Sequence, residues 1–138
     1  MQIISPYQNN LINLLVSDED EKRDLISRAN HLPSIQLSPR SVCDLELLAV
    51  GAFSPLDRFM TEADYRRVLA EMRLANGALF PIPITLPVPS AVTASVGDSI
   101  ALRNSKNELL AILLIEEKFA WDWRTEAQHI LNTTDARH

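Results

Sequence analysis

Leu37-Ser38-Pro39-Arg40-Ser41-Val42-Cys43-Asp44-Leu45-Glu46-Leu47-Leu48, running on through Ala49-Val50 to Gly51-Ala52-Phe53-Ser54-Pro55-Leu56, is the stretch whose reading decides the fold. Ser38-Pro39 is a helix start: the serine hydroxyl is placed to accept from free backbone amides, and proline at the first helical position has no amide to leave unpaired. Val42, Leu45, Leu48 and Ala49 then recur on one helical face, and Gly51 is placed to take the left-handed conformation that ends such a helix near Val50. Cys43 sits among Val42, Leu45 and Leu48, so a buried thiol is expected of it rather than a nucleophile. As the only cysteine, it excludes an internal disulfide.

Outward from this helix the same logic predicts three more. Ser17 precedes a helix over Asp18 to Ala29, with acids crowding its positive end and Leu25, Ile26 and Ala29 as an inward stripe. Between the two helices, Ile35-Gln36-Leu37 reads as a short extended piece. Thr61 with Asp64 gives a near capping box for a helix to about Met72, with Tyr65, Val68, Leu69 and Met72 inward. A last helix starts at Asp122 and includes Ala127, Ile130 and Leu131.

Asn76-Gly77 is a turn signal, and beyond it the pattern becomes short, β-branched and proline-punctuated as far as Glu117. Three to five strands are expected there. Pro81, Pro83, Pro87 and Pro89 cannot donate to a central ladder, so that piece is an edge strand or a bent crossing. Val96-Gly97-Asp98 turns into Ser99–Arg103, and Ser105-Lys106-Asn107 turns into the apolar run Leu109 to Ile115. Helices first and strands after them make an α+β domain, and a small, partly closed barrel is the favoured architecture.

The 138 residues suit one domain, large enough to bury a core without disulfide or metal. A net charge of −5 argues against a nucleic-acid partner, which would need a basic face. Arg66 and Arg67 stand among Glu62, Asp64 and Glu71, the pattern of a solvated helix face. The longest apolar run is too short to span a bilayer. With no basic region ahead of an apolar segment, no secretory signal is read, and a cytoplasmic location is expected. His31, His129 and His138 lack metal-ligand spacing, and a Gly-x-x-x-x-Gly-Lys phosphate loop is missing. No catalytic group, cofactor or metal site is assigned.

The opening stretch closely resembles the N-terminal domain of ATP sulfurylases (sulfate adenylyltransferases). So do Phe59-Met60 with Glu62, Asp64 and Tyr65, the run Leu79 to Pro87, Gly97 to Arg103, Glu116-Glu117, Trp121-Asp122 and Asn132-Thr133-Thr134-Asp135. The resemblance covers nearly the whole chain. It implies a single PUA-like domain over residues 1–138: a small β pseudo-barrel with about four flanking helices. It further implies that nucleotidyl transfer from ATP to sulfate belongs to a following catalytic domain, absent here. That chemistry gathers cations and fixed donors around a polyanionic transition state. The family's Gln-x-Arg-Asn-Pro, His-x-x-His and Gly-Arg-Asp elements have no counterpart in this sequence. Leu102-Arg103-Asn104-Ser105 is a partial echo, expected to be a strand running into a turn.

What the resemblance implies is therefore a structural and docking module, inactive alone, whose partner is the catalytic domain in cis or in trans. A free-standing PUA-like protein binding RNA or a small ligand is the alternative. Arg40, Asp44 and Glu46 are candidates for ion pairs to loop and neighbouring domain, against the simpler reading of ordinary exposed charges. Phe53, Arg58, Phe59 and Met60 in the motif loop, and Trp121 and Trp123 with Phe119 before the last helix, are candidates for the inter-domain surface. The competing reading has the apolar ones closing the barrel ends. If exposed, they favour weak self-association. Two departures stand out: Arg58 replaces a usual glycine, and Gln8-Asn9 replaces the family's opening Gly-Gly. A regular loop at Arg58 is expected, with Arg58→Gly near neutral; were Arg58 held at positive φ, the same change would stabilise by about 1 kcal/mol.

Overall fold

A computed structural model describes residues 4–137, in the order of a one-turn 3-10 helix Tyr7–Asn9, α1 Glu19–Ala29, β1 Ser34–Gln36, α2 Pro39–Ala49, α3 Glu62–Glu71, β2 Ser99–Arg103, β3 Leu109–Leu114 and α4 Trp123–Leu131. The α+β class and the four α-helices stand as expected. They divide into two compact units, one holding the described residues through Phe59 together with Leu86–Glu116, the other Met60–Thr85 with the described residues from Glu117 onward.

The first unit is built on a three-stranded sheet in the order β1-β2-β3. β1 runs parallel to β2, Ile35 opposite Leu102, and β2 runs antiparallel to β3, with a bulge between Leu102 and Arg103. Ile100 and Leu102 are fully buried among Ile35, Leu37, Ala94 and Ile115, with Val42 and Leu45 of α2 packed against them. α2 starts as the sequence dictates: Ser38 Oγ accepts from the Ser41 amide at 3.1 Å, with Pro39 at the first position. Gly51 ends it with φ of 82° and lies against the N-terminal arm. A Cβ there would run into the Ile12 carbonyl oxygen and the Leu11 side chain, so both conformation and space require glycine.

The second unit folds α3 onto a hairpin-like turn. Thr61 caps α3, accepting from the Asp64 amide at 3.3 Å. Asp64 does not close a reciprocal box to the Thr61 amide; its Oδ2 accepts from the Thr61 hydroxyl at 3.1 Å and its Oδ1 from the Ala75 amide at 2.8 Å, tying the helix start to the loop that follows it. Arg73 and Leu79 bridge across the Asn76-Gly77 turn. Val68 and Ile84 are buried here, along with Tyr65, Leu74 and Phe80.

Several expectations are corrected. Asp18, not Ser17, caps α1, accepting from the amides of Asp20 and Glu21, because a carboxylate one residue nearer reaches both. Ile26 and Met72 are exposed: α1 turns only its Leu25–Ala29 edge inward, and Met72, at φ of 54°, has already left the helix. Cys43 is exposed, since α2 presents Val42 and Leu45 inward and turns Cys43, one position past Val42, outward. Residues 77–117 form two strands rather than three to five, and the proline run Pro81–Pro89 joins no ladder. Too many of its amides are missing to sustain one. Gln8 and Asn9 hold the positive φ, 59° and 56°, that the family's glycines would take without strain.

Candidate functional site

The expected site residues fall into separate groups. In α2, Arg40 faces Asp44 across one turn at 3.8 Å, an intrahelical pair with Arg40 exposed, and Glu46 is exposed on the same helix. Such a pair contributes roughly 0.3–0.5 kcal/mol. Arg58 has an ordinary negative-φ backbone, as expected, but its guanidinium is engaged: it pairs with Asp57 at 2.8 Å and with Glu116. The Arg58 hydrogen bond holds the Asp57 carboxyl below the usual carboxylate range, against the smaller opposing effect of burial. Phe53 and Phe59 are half-buried. Met60 is 4% exposed, so its side chain is spent inside its own unit, where the Ile84 amide approaches its sulfur at 3.4 Å and the Met60 amide donates to the Ile84 carbonyl. The partial echo at Arg103-Asn104 is a strand end and a turn. Arg103 donates to the Asn107 carbonyl at 3.0 Å, and Asn104 Oδ1 accepts from the amides of Lys106 and Glu108.

Trp121 and Trp123 come together around the start of α4. Asp122 caps that helix, accepting from the Arg124 amide at 3.0 Å and from the Thr125 hydroxyl at 2.6 Å. Those bonds, the Thr125 hydroxyl first, depress its carboxyl pKa. The organising residue, which the sequence did not single out, is Glu126. Its Oε2 accepts from the Tyr65 hydroxyl at 2.9 Å and from the Trp121 indole N–H at 2.8 Å. Phe119 lies against the Tyr65 ring at 5.3 Å between centroids. Burial first, and the Glu126 carboxylate second, push the Tyr65 phenol well above its ordinary range, so it stays a donor at all ordinary pH.

Beside this hub an open cleft of about 290 Å³ lies between α3 and α4, lined in part by Glu62, Arg66, Leu69, Asp122 and His129. Its cation is already neutralised, since Arg66 pairs with Glu62. Arg67 pairs with Glu71, so the arginines of α3 form the solvated face their sequence indicated. His129 places Nδ1 2.8 Å from the Thr125 carbonyl, which fixes the proton on that nitrogen. His138 lies outside the described residues. Among those described, no three histidine, cysteine, aspartate or glutamate side chains gather closely enough to hold a metal, and no helix is long and apolar enough to cross a membrane.

A family model described as a PUA-like domain matches residues 4–138. The chain is 42% identical over 137 residues to a sulfate adenylyltransferase of Synechococcus sp. (strain JA-3-3Ab), a match covering 98% of this chain and 35% of the relative. It is 41% identical to one from Phaeosphaeria nodorum, covering 96% of this chain and 24% of that protein. A solved structure titled as a hexameric APS kinase from Thiobacillus denitrificans superposes with a TM-score of 0.73 at 39% identity, over 81% of this chain and 23% of the other. The chain spans about a third of the length of the bacterial relative.

Proposed function

The chain belongs to the PUA-like domain family, and we propose that it is the N-terminal, non-catalytic module of a sulfate adenylyltransferase-type protein, supporting and docking a catalytic domain supplied in cis or in trans. The observation that carries this reading is the asymmetry of coverage: 98% of the chain finds its counterpart within 35% of the relative. The chemistry of the chain supports it. Three arginines that could meet a polyanion are paired with carboxylates: Arg58 with Asp57 and Glu116, Arg66 with Glu62, Arg67 with Glu71. A site for adenylyl transfer would need such donors free and convergent. One PUA-like domain over the whole chain, placed in the cytoplasm, belongs to the same reading.

The purified chain, given ATP and sulfate, is expected to release neither adenylyl sulfate nor pyrophosphate. Turnover that follows the protein through purification and disappears in Arg103→Ala would contradict the proposal. Retention of RNA on a filter at low salt would favour a nucleic-acid-binding role instead.

A further inference from the structure

Helix α4 carries an apolar face that its own unit leaves uncovered. Trp123, Ala127, Ile130 and Leu131 stand at i, i+4, i+7 and i+8, one side of an α-helix. No residue of this helix is buried; Trp123 and Leu131 are 46% and 47% exposed, and Trp121, just before the cap, is 54% exposed. Exposed tryptophans are ordinarily mobile, but these two are held. The Trp121 indole donates to Glu126, and the Arg124 guanidinium lies 5.1 Å from the centre of the Trp123 ring. Large aromatic groups fixed before a partner arrives lose little freedom on binding, which is the property of interface hot spots.

We infer that Trp121, Trp123, Ile130 and Leu131 form the seat on which the catalytic part of a sulfate adenylyltransferase rests. The inference rests on the proposed function and adds the surface. The occupant follows from extent and tether. The match accounts for 35% of the bacterial relative, which leaves about two-thirds of that protein to be placed. The resemblance puts that remainder after Asn132–Asp135, a segment that begins directly behind Leu131. A chain leaving from the end of α4 is held at an effective concentration on the order of millimolar beside the stripe, so modest apolar burial suffices to dock it. A second copy of this chain has no such tether.

Both tryptophans of the chain lie in this seat, so labelling with fluorotryptophan places fluorine resonances there and nowhere else. The labelled chain is titrated with the portion of the Synechococcus relative that the match leaves uncovered, up to about millimolar, the concentration the tether supplies in a joined chain. Both resonances are expected to shift saturably. Trp123→Asp and Ile130→Asp are expected to weaken the affinity roughly tenfold or more, the loss typical of a hot-spot residue. Val96→Asp, at an exposed valine of the other unit, should leave it unchanged. Binding that leaves the fluorine resonances still, or that tolerates both α4 variants, overturns the surface while the proposed function stands. Failure of the wild-type chain to bind overturns both. Resonances that shift with the concentration of the chain alone identify a second copy as the occupant and overturn the inference.

Discussion

In the unit that carries the sheet, Ile100, Ala101 and Leu102 of β2 are shut away from solvent and the contacts around them are aliphatic, whereas in the other unit the last helix holds no fully buried residue. There the packing of α3 against α4 runs through one carboxylate shared by a phenol and an indole, with Phe119 laid on Tyr65. The two regions teach different things about what stabilises them. Aliphatic burial is non-directional, and around Ile100 and Leu102 it is satisfied within its own unit, although Leu110 and Leu114 of β3 stay exposed. The Glu126 hub is directional: it aims side chains, and it leaves the apolar side of α4 facing outward.

The difference is broken most severely in the sheet. Ile100→Ala removes buried methyl and methylene groups where little can collapse into the space, and a loss of about 2–5 kcal/mol is expected in urea melts. A loss below about 1 kcal/mol would mean that β2 is less tightly packed than its burial indicates. In the other unit the corresponding probe is Tyr65→Phe, which deletes a hydrogen bond to a carboxylate and keeps the ring. Its expected cost is about 1.5–3 kcal/mol. Because Trp121 keeps its own bond to Glu126, the indole emission of the folded variant should stay close to wild type. A marked red shift would show that the phenol, rather than the carboxylate alone, positions the indole.

The smallest expected effect belongs to Arg58. The sequence reading made Arg58→Gly neutral or stabilising, but the guanidinium bridges Asp57 and Glu116 from a backbone that needs no glycine. Both pairs are half exposed, so solvent discounts them to roughly 0–1 kcal/mol, and the added chain freedom of glycine costs about another 0.5–1 kcal/mol. A net loss near 1 kcal/mol is therefore expected, and a stabilised variant would show that the pairs contribute nothing.

What was legible in the sequence was what neighbours in the chain decide. Ser38 and Thr61 as caps, Asp122 at the start of α4, and the turns at Gly51, Gly77 and Gly97 are local choices of side chain and φ, and the structure keeps each. The misses lie where a distant partner decides. Asp64 spends its second oxygen on Ala75, eleven residues on, and Arg58 reaches Glu116. Tyr65 and Glu126 are 61 positions apart, and nothing in either segment names the other. The one local trace of the hub was Trp121 five residues before Glu126, too ordinary a spacing to mark a site. The apolar neighbours of Cys43 suggest burial, while helical geometry turns it, one position past Val42, to the outside. For the candidate surface, the sequence supplied the tryptophans, but Met60 was lost to the interior and the exposure of Leu131 was not foreseen.

The contrast between the buried strand β2 and a helix left waiting for cover is tested most directly by backbone hydrogen exchange, compared for the chain alone and with the unmatched portion of the Synechococcus sulfate adenylyltransferase. Slowed exchange is expected from Trp121 through Leu131 on adding that partner, with β2 and β3 unchanged. Protection that appears on β2 and β3 while α4 exchanges as before would contradict it.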